Sequence, residues 1–397
     1  MQKILSKIEG DKVLWGLVSI MALSSMFPVF SASSNLAFSH NGSTVLMLAK
    51  HAFHISLGLL IMFVIHRIDY RLLGSLSRFM LPVLIVLLLY TLFFGVNISN
   101  ATRWIRIPGT SQTFQTSALA WVILPLYLAR YLSKAPDWEL KSFKLSFMSA
   151  IAPILLVCVL ILPSNFSTAA MLFAGCLLIL FVGGYPFKNL LILIGAGLVG
   201  LSLFLVLVFK FPNMNNRVAT WKARIENFGS DNTADNFQVN KAKTAIAEGY
   251  LLGKGPGKSI QKNFLPQSNS DFIYAIIVEE FGLFGALITI AFYLVLLVRV
   301  LIISTKAPSK FGSLAAFAVS IGILMQAFVN LAVAVNLFPV TGQTLPLISA
   351  GGSSIWVTCS AIGIILSVSV GKQNNPLAQE GEPQEEETLN PQEPAHA

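Results

Sequence analysis

Ten apolar runs, each near the length that crosses a bilayer, limit what this chain can fold into. They lie at about 13–31, 44–65, 76–96, 115–132, 145–162, 168–184, 189–210, 271–298, 311–336 and 351–370, where about 20 residues of helix span the hydrocarbon. Composition agrees: of 397 residues, 55% are hydrophobic and 11% charged, against about 25% charged in soluble domains. The mean hydropathy is +0.72. The expected fold is an all-α polytopic membrane protein with ten transmembrane helices.

Charge sets the orientation. Lys3, Lys7 and Lys12, then Arg67, Arg71 and Arg78, then Arg130, Lys134, Lys141 and Lys144, then Lys188, then Arg299, Lys306 and Lys310, and finally Lys372 all fall on one side if the ten runs alternate. The short loops on the other side hold only Arg103 and Arg106. By the positive-inside rule both termini are cytoplasmic. The first run, preceded by lysines and followed by "SASS", could be taken for a cleavable signal, but an uncleaved span gives the consistent pattern.

Between the seventh and eighth runs, residues 211–270 form a large extracytoplasmic loop. It carries Arg217, Lys222, Arg224, Lys241, Lys243, Lys254, Lys258 and Lys262 against Glu226, Asp231, Asp235 and Glu248. Loops of that length cross largely regardless of charge, and a basic segment beside the outer leaflet suits an anionic lipid or a phosphorylated substrate. A plain solvated loop, with "WKARIENF" as an interfacial helix, is the simpler alternative. "LLGKGPGKS" at 251–259 lacks the spacing and setting of a nucleotide-binding loop. Residues 1–373 are read as one membrane domain and 374–397, with six Glu, as a disordered cytoplasmic tail. Cys158, Cys176 and Cys359 all lie in apolar runs and imply no disulfide framework.

"NSDFIYAIIVEEFGLFG" at 269–285 poses the chemical question, because Asp271 stands at its threshold and Glu279 and Glu280 lie inside it. An Asp at the centre of a spanning helix costs about 2.5–3.5 kcal/mol, so such groups pair or work. On one helix Asp271 and Glu279 would sit about 80° and about 12 Å apart, with Glu280 nearly opposite Asp271. The three therefore do not make one metal cage. Asp271 is placed for chemistry at the outer surface, or for capping its helix together with Asn269 or Ser270. Glu279 and Glu280 face other helices. Lys50, followed by His51 and His54, either snorkels to the interface or lines an outward cavity. "NLFPVTGQTLPLISAGGSS" at 336–354 puts irregular backbone at membrane depth, which lipid tolerates only around a buried or wet cavity.

Four separated windows then resemble one family in order: the SEDS proteins (shape, elongation, division and sporulation), which are peptidoglycan glycosyltransferases. These are "RWIRIPG" with "FQTS", "RVATWKARIENF", "GKGPGKSIQKNFLPQSNSDFIYAIIVEEFGLFGAL" and "TGQTLPLISAGGSS", covering about residues 10–370 in family topology. The "SIQK" before "FLP" and the "TLPLIS" form are more similar to the division branch than to the elongation branch.

The resemblance implies polymerisation of lipid II at the outer face of the cytoplasmic membrane, at the division septum. Asp271 would be the catalytic base, and Lys50, Arg103, Arg217, Arg224, Lys262 and Ser353 would be substrate-binding. Glu279 and Glu280 would line or support the cavity. It also implies a class B penicillin-binding protein transpeptidase and other divisome membrane proteins as partners, with no nucleic acid. A divalent cation, Mg²⁺ or Mn²⁺, is compatible with a pyrophosphate leaving group, its ligands unassigned. The chain departs from the family pattern at Ala118 and Trp121, where an acid and a base are usual, at Asn165 for a common Asp, and at Gln267 for a common Glu. A lipid II flippase, an elongation-type polymerase and a silent scaffold are the alternatives.

Overall fold

The computed structural model describes residues 9–39, 43–98, 101–110, 112–210, 234–265 and 268–373. The first apolar run is two helices, α1 (Lys12–Ser24) and α2 (Met26–Ser39). They break at Ser25, whose hydroxyl donates to the Ala22 carbonyl (2.7 Å) and meets His51 Nε2 at 2.9 Å. Asp11 caps α1 by accepting from the Leu14 amide at 2.8 Å, which satisfies one of the four orphan donors of a helix start. Next come α3 (Thr44–His66) and α4 (Tyr70–Phe94).

The loop after α4 contains a three-stranded antiparallel sheet, β1 (Val96–Ile98), β2 (Ala101–Arg106) and β3 (Thr113–Gln115), in that spatial order. An all-α reading did not include it. Its strands are short, but "RWIR" and "TFQ" hold the aromatic and β-branched residues that suit a pleated surface, and Pro108-Gly109 turns the chain between them. β2 and β3 pair Trp104 with Gln115, so the sheet delivers the chain directly into α5 (Thr116–Lys134).

After α5 comes the short α6 (Asp137–Lys141). The next span is composite: α7 (Phe143–Ser146), a π-helical turn at Phe147–Ile151, then α8 (Ala152–Ile161). α9 (Phe166–Val182), α10 (Phe187–Lys210), α11 (Ala234–Gly249) in the large loop, α12 (Ile273–Thr305), α13 (Lys310–Ala334) and α14 (Gly352–Gln373) complete the chain.

Eight of these segments are both long and apolar enough to cross a bilayer. The other two expected runs are α9, with 17 residues, and α5, whose 19 residues include Arg130, Ser133 and Lys134. α13 and α14 are the most enclosed, with 67% and 72% of their spanning windows buried against 22% for α3. α3 and α14 pack closely because Gly58 meets Cys359 and Ile355, and Gly363 meets Ile65 and the Met62 carbonyl; small residues supply such contacts where lipid gives no hydrophobic driving force. Arg299 of α12 pairs with Asp11, tying the start of α1 to α12.

α12 is broken at Gly282, which has φ +63 and ψ −155. A break of that kind strands backbone groups, and all of them must find partners at this depth. The extracytoplasmic loop supplies them: the Lys254 amide donates to the Glu279 carbonyl and the Gly255 amide to the Glu280 carbonyl, both at 2.9 Å, and the Leu283 amide donates to the Tyr250 carbonyl at 2.9 Å. The loop backbone approaches so closely that a Cβ at 282 would lie 2.4 Å from the Leu251 oxygen and 2.5 Å from the Gly253 nitrogen. Gly282→Ala is therefore expected to cost about 2 kcal/mol or more, from left-handed strain and overpacking together. Thermal unfolding in detergent should register it as a lowered Tm, while Gly195→Ala, whose Cβ meets nothing within 4 Å, should leave Tm unchanged.

Candidate active site

A cleft of about 580 Å³ opens among α5, α9, α13, α14, the β2–β3 sheet and the irregular segment that precedes α14. Two non-helical stretches meet there, 268–272 before α12 and 339–351 before α14. They are zipped by hydrogen bonds: the Ala350 amide to the Asn269 carbonyl (2.8 Å), Ser349 Oγ to the Ser270 carbonyl (2.6 Å), and Asn330 Nδ2 to the carbonyls of Asp271 (2.8 Å) and Gln343 (2.7 Å). Asn330 is 1% exposed on α13, so it works as a bracket between the two segments. Gln343 in turn donates to Thr168 Oγ1 on α9 at 2.9 Å. Irregular backbone at membrane depth is thus satisfied by protein, as lipid demands.

Asp271 lies in this junction, half-buried and lining the cleft. The N-cap of α12 is Phe272, one residue after Asp271. Gly342, at φ +69, brings its backbone beside the carboxylate: a Cβ there would sit 3.5 Å from Asp271 Oδ2. Arg103 on β2 and Ser353 at the start of α14 also line the cleft. Among the described residues lining it, Asp271 and Arg103 alone are charged.

Other expected site residues go elsewhere. Lys50 is exposed near the start of α3 and does not line the cleft, in keeping with a snorkelling lysine. Lys262 donates to Ser31 Oγ (3.1 Å) and the Gly257 carbonyl (2.8 Å), which joins loop to bundle outside the cleft. Arg217 and Arg224 lie outside the described residues, as do "WKARIENF" and the acidic tail.

Glu279 and Glu280 are 0% and 1% exposed. They were expected to face other helices, but their main partners come from the outer loop. Glu279 accepts from Lys254 Nζ (2.8 Å), Ser259 Oγ (2.5 Å) and the Ile260 amide (2.9 Å). Glu280 accepts from the Ser259 amide (3.2 Å) and from Ser31 of α2. Lys254 also bonds Glu248 on α11. Burial works against the Lys254 charge, yet its hydrogen bonds to Glu248 and Glu279 hold its pKa above the ordinary value, and the bond from Lys254 holds Glu248 below its own.

Three residues singled out as departures line the cleft wall: Ala118, Trp121 and Asn165. Trp121 is 4% exposed and lies against Gly322, where a Cβ would be 2.8 Å from its ring. Asn165 caps α9 by accepting from the Thr168 amide at 3.3 Å, and its Nδ2 has no hydrogen-bond partner among the described residues. Sequence reasoning missed Gln343, Asn330 and Gln238 of α11; Asn330 was detectable as an amide inside an otherwise apolar run.

The family model described as "Cell cycle protein" for FtsW, RodA and SpoVE matches residues 11–374. The chain is 33% identical over 368 residues to the probable peptidoglycan glycosyltransferase FtsW of Nitrosococcus halophilus, covering 90% of this chain and 91% of that one. It is 30% identical over 367 residues to stage V sporulation protein E of Bacillus subtilis, covering 91% and 98%. Among solved structures, it superposes with a TM-score of 0.71, at 24% identity over 92% of this chain and 99% of the other, on a chain from a peptidoglycan synthase complex that coordinates polymerisation and crosslinking. It also superposes with a TM-score of 0.65 on the rod shape determining protein RodA of Thermus thermophilus, at 24% identity over 92% and 98% of the two chains. The fold and site define a polytopic membrane protein with a polar cleft. The chain belongs to the FtsW/RodA/SpoVE family, the SEDS proteins.

The Lys254–Glu279 contact generates a stability test. Lys254→Met leaves a buried carboxylate short of its cation and should cost about 2 kcal/mol, whereas Glu248→Gln, half-exposed, should cost under about 1 kcal/mol. The Lys254→Met/Glu279→Gln double variant should be destabilised by about 1 kcal/mol less than the sum of the singles, read by thermal unfolding in detergent.

Proposed function

We propose that this chain is a peptidoglycan glycosyltransferase that polymerises lipid II at the outer face of the cytoplasmic membrane, in septal wall synthesis. The observation that carries the reading is a single carboxylate, Asp271, in a polar cleft whose only other charged lining residue among those described is Arg103. The chemistry needs that pairing. The acceptor sugar hydroxyl has a pKa far above neutral, so a positioned base must take its proton as the new bond to the donor's anomeric carbon forms. The bond from that carbon to the pyrophosphate oxygen breaks with its electron pair, and a cation or amide donor steadies the departing charge.

Asp271 is the base in this proposal. Arg103 and the unpaired Asn165 amide serve the leaving group, and Ser353 and Gln343 orient the sugars. No three His, Cys, Asp or Glu residues among those described converge on one point. A Mg²⁺ or Mn²⁺ ion would have Asp271 as its one carboxylate ligand in the cleft and would lean on substrate phosphate oxygens, a common arrangement for Mg²⁺.

Curated relatives named FtsW support the division role over elongation. A structural neighbour from a complex coordinating polymerisation with crosslinking supports a class B penicillin-binding protein as partner. The apolar spans and these relatives support an inner-membrane site; the excess of Lys and Arg on one set of short loops supports cytoplasmic termini and, with them, a cleft toward the periplasm, where other divisome proteins would be neighbours.

The test is lipid II polymerisation by purified protein, with and without its transpeptidase. Wild type should yield glycan strands; Asp271→Asn, folded by its melting curve, should lose at least about 10²-fold in rate. Arg103→Met should lose about 10-fold or more, and Lys50→Met should stay near wild type. Wild type that moves lipid II between leaflets yet makes no strands under any partner or metal condition would overturn the polymerase reading in favour of translocation.

A further inference from the structure

The tip of the large loop, where α11 ends, exposes three consecutive apolar side chains: Tyr250 (81%), Leu251 (65%) and Leu252 (79%). Water is a poor setting for such a group. Tyr250 also holds φ +47 without being glycine, a conformation with a steric cost for any side chain beyond glycine. The chain is therefore turned outward at a cost, and something must favour that arrangement.

The height of the tip is fixed by its contacts. The Tyr250 carbonyl accepts from the Leu283 amide at 2.9 Å, and the Leu251 carbonyl lies against Gly282. At about 1.5 Å per residue, Leu283 stands about 24 Å along α12 from Arg299 and about 35 Å from Lys306. Arg299 pairs with Asp11 at the start of α1, so the inner membrane boundary falls between those two levels. A hydrocarbon layer of about 30 Å then puts its outer boundary within about 6 Å of Leu283.

The tip is also continuous with a surface that already faces lipid. Leu283, Phe284, Leu287 and Ile288 are all well exposed on the spanning part of α12, and Tyr250–Leu252 extends that strip at its outer end. Charge returns a few residues on with the exposed Lys258. An aromatic at the boundary, aliphatics beside it and a lysine beyond form the usual pattern of an interfacial anchor.

We propose that Tyr250–Leu251–Leu252 is a membrane anchor, seated in the outer leaflet among phospholipid acyl chains at the headgroup boundary. The large loop is then fastened twice, by the Glu279–Glu280 contacts from within and by lipid from outside. The anchor sets the height of α11, whose Gln238 lines the cleft, so bilayer thickness or packing would bear on cleft shape. This holds whatever reaction the cleft performs.

The test uses the full chain in phosphatidylcholine and phosphatidylglycerol liposomes, without partners. A nitroxide is attached at Leu251→Cys, with Leu252→Cys as a second position, Phe284→Cys as a lipid-facing reference and Lys258→Cys as a loop reference; the natural cysteines are buried. Collision with oxygen, which concentrates in hydrocarbon, is compared with collision with a water-soluble nickel chelate. The 251 and 252 labels should give an oxygen-to-nickel ratio close to that at 284 and several-fold above that at 258. A ratio equal to that at 258 would overturn the anchor. So would labels shielded from both reagents, because that outcome means protein, such as a second copy, covers the tip.

Discussion

The break of α12 at Gly282 is the constraint on which the extracytoplasmic side depends. A straight helix from Ile273 would satisfy its own backbone and leave the loop nothing to bond. Broken there, it offers the carbonyls of Glu279 and Glu280 and the amide of Leu283, and the loop from Tyr250 to Gly255 meets all three. The two carboxylates then extend the same seam by binding Ser259, Ile260 and Lys254. Desolvating two carboxylates is expensive, and only this density of donors offsets it. That explains why an apolar chain keeps two adjacent acids: each is a fastening point for a segment that would otherwise stand free in water.

The seam has a consequence for the cleft. The same α12 that is clamped at 279–283 carries Asp271 two residues before its first turn, and the loop clamped to it includes α11, which reaches over the cleft with Gln238. On the other side, Asn330 holds the backbone of Asp271 and of Gln343 together. The carboxylate is thus located by backbone bonds on both flanks, and Gly342 leaves room beside it. Rigid location of a base is what proton transfer at a sugar hydroxyl requires.

Much of this was legible in the sequence, and the limits have physical causes. Apolar runs mark spans because lipid leaves few alternatives, so the bundle could be read directly; α5 and α9 were the weakest spans by composition or length. Asp271, Arg103 and Ser353 were named and do meet in one cleft. Lys50 and Lys262 were named with them, but Lys50 is exposed on α3 and Lys262 bonds Ser31 and Gly257; neither lines the cleft, and a sequence does not show which way a lysine reaches. The partners of Glu279 and Glu280 were illegible because they come from a loop folded back over α12 and from Ser31 of the distant α2, and part of the seam is backbone amides that carry no side-chain signature. The small sheet was missed because strands of three residues give no periodicity to read.

The wall at Ala118 and Trp121 is neutral where the family resemblance implies an acid and a base. Such a pair would need excellent geometry to offset its desolvation, and removing only one would leave a stranded charge. At these two positions this chain has neither. An indole fills the space against Gly322, where a Cβ would lie 2.8 Å from the ring, and also reaches Gly175, so α5, α9 and α13 are held in register by packing. Among the described lining residues, the polar work of the cleft is left to neutral amides and hydroxyls around Asp271 and Arg103. On the proposed reaction the charged pyrophosphate enters a wall that is, over those residues, otherwise neutral, and becomes a large part of the field the carboxylate encounters.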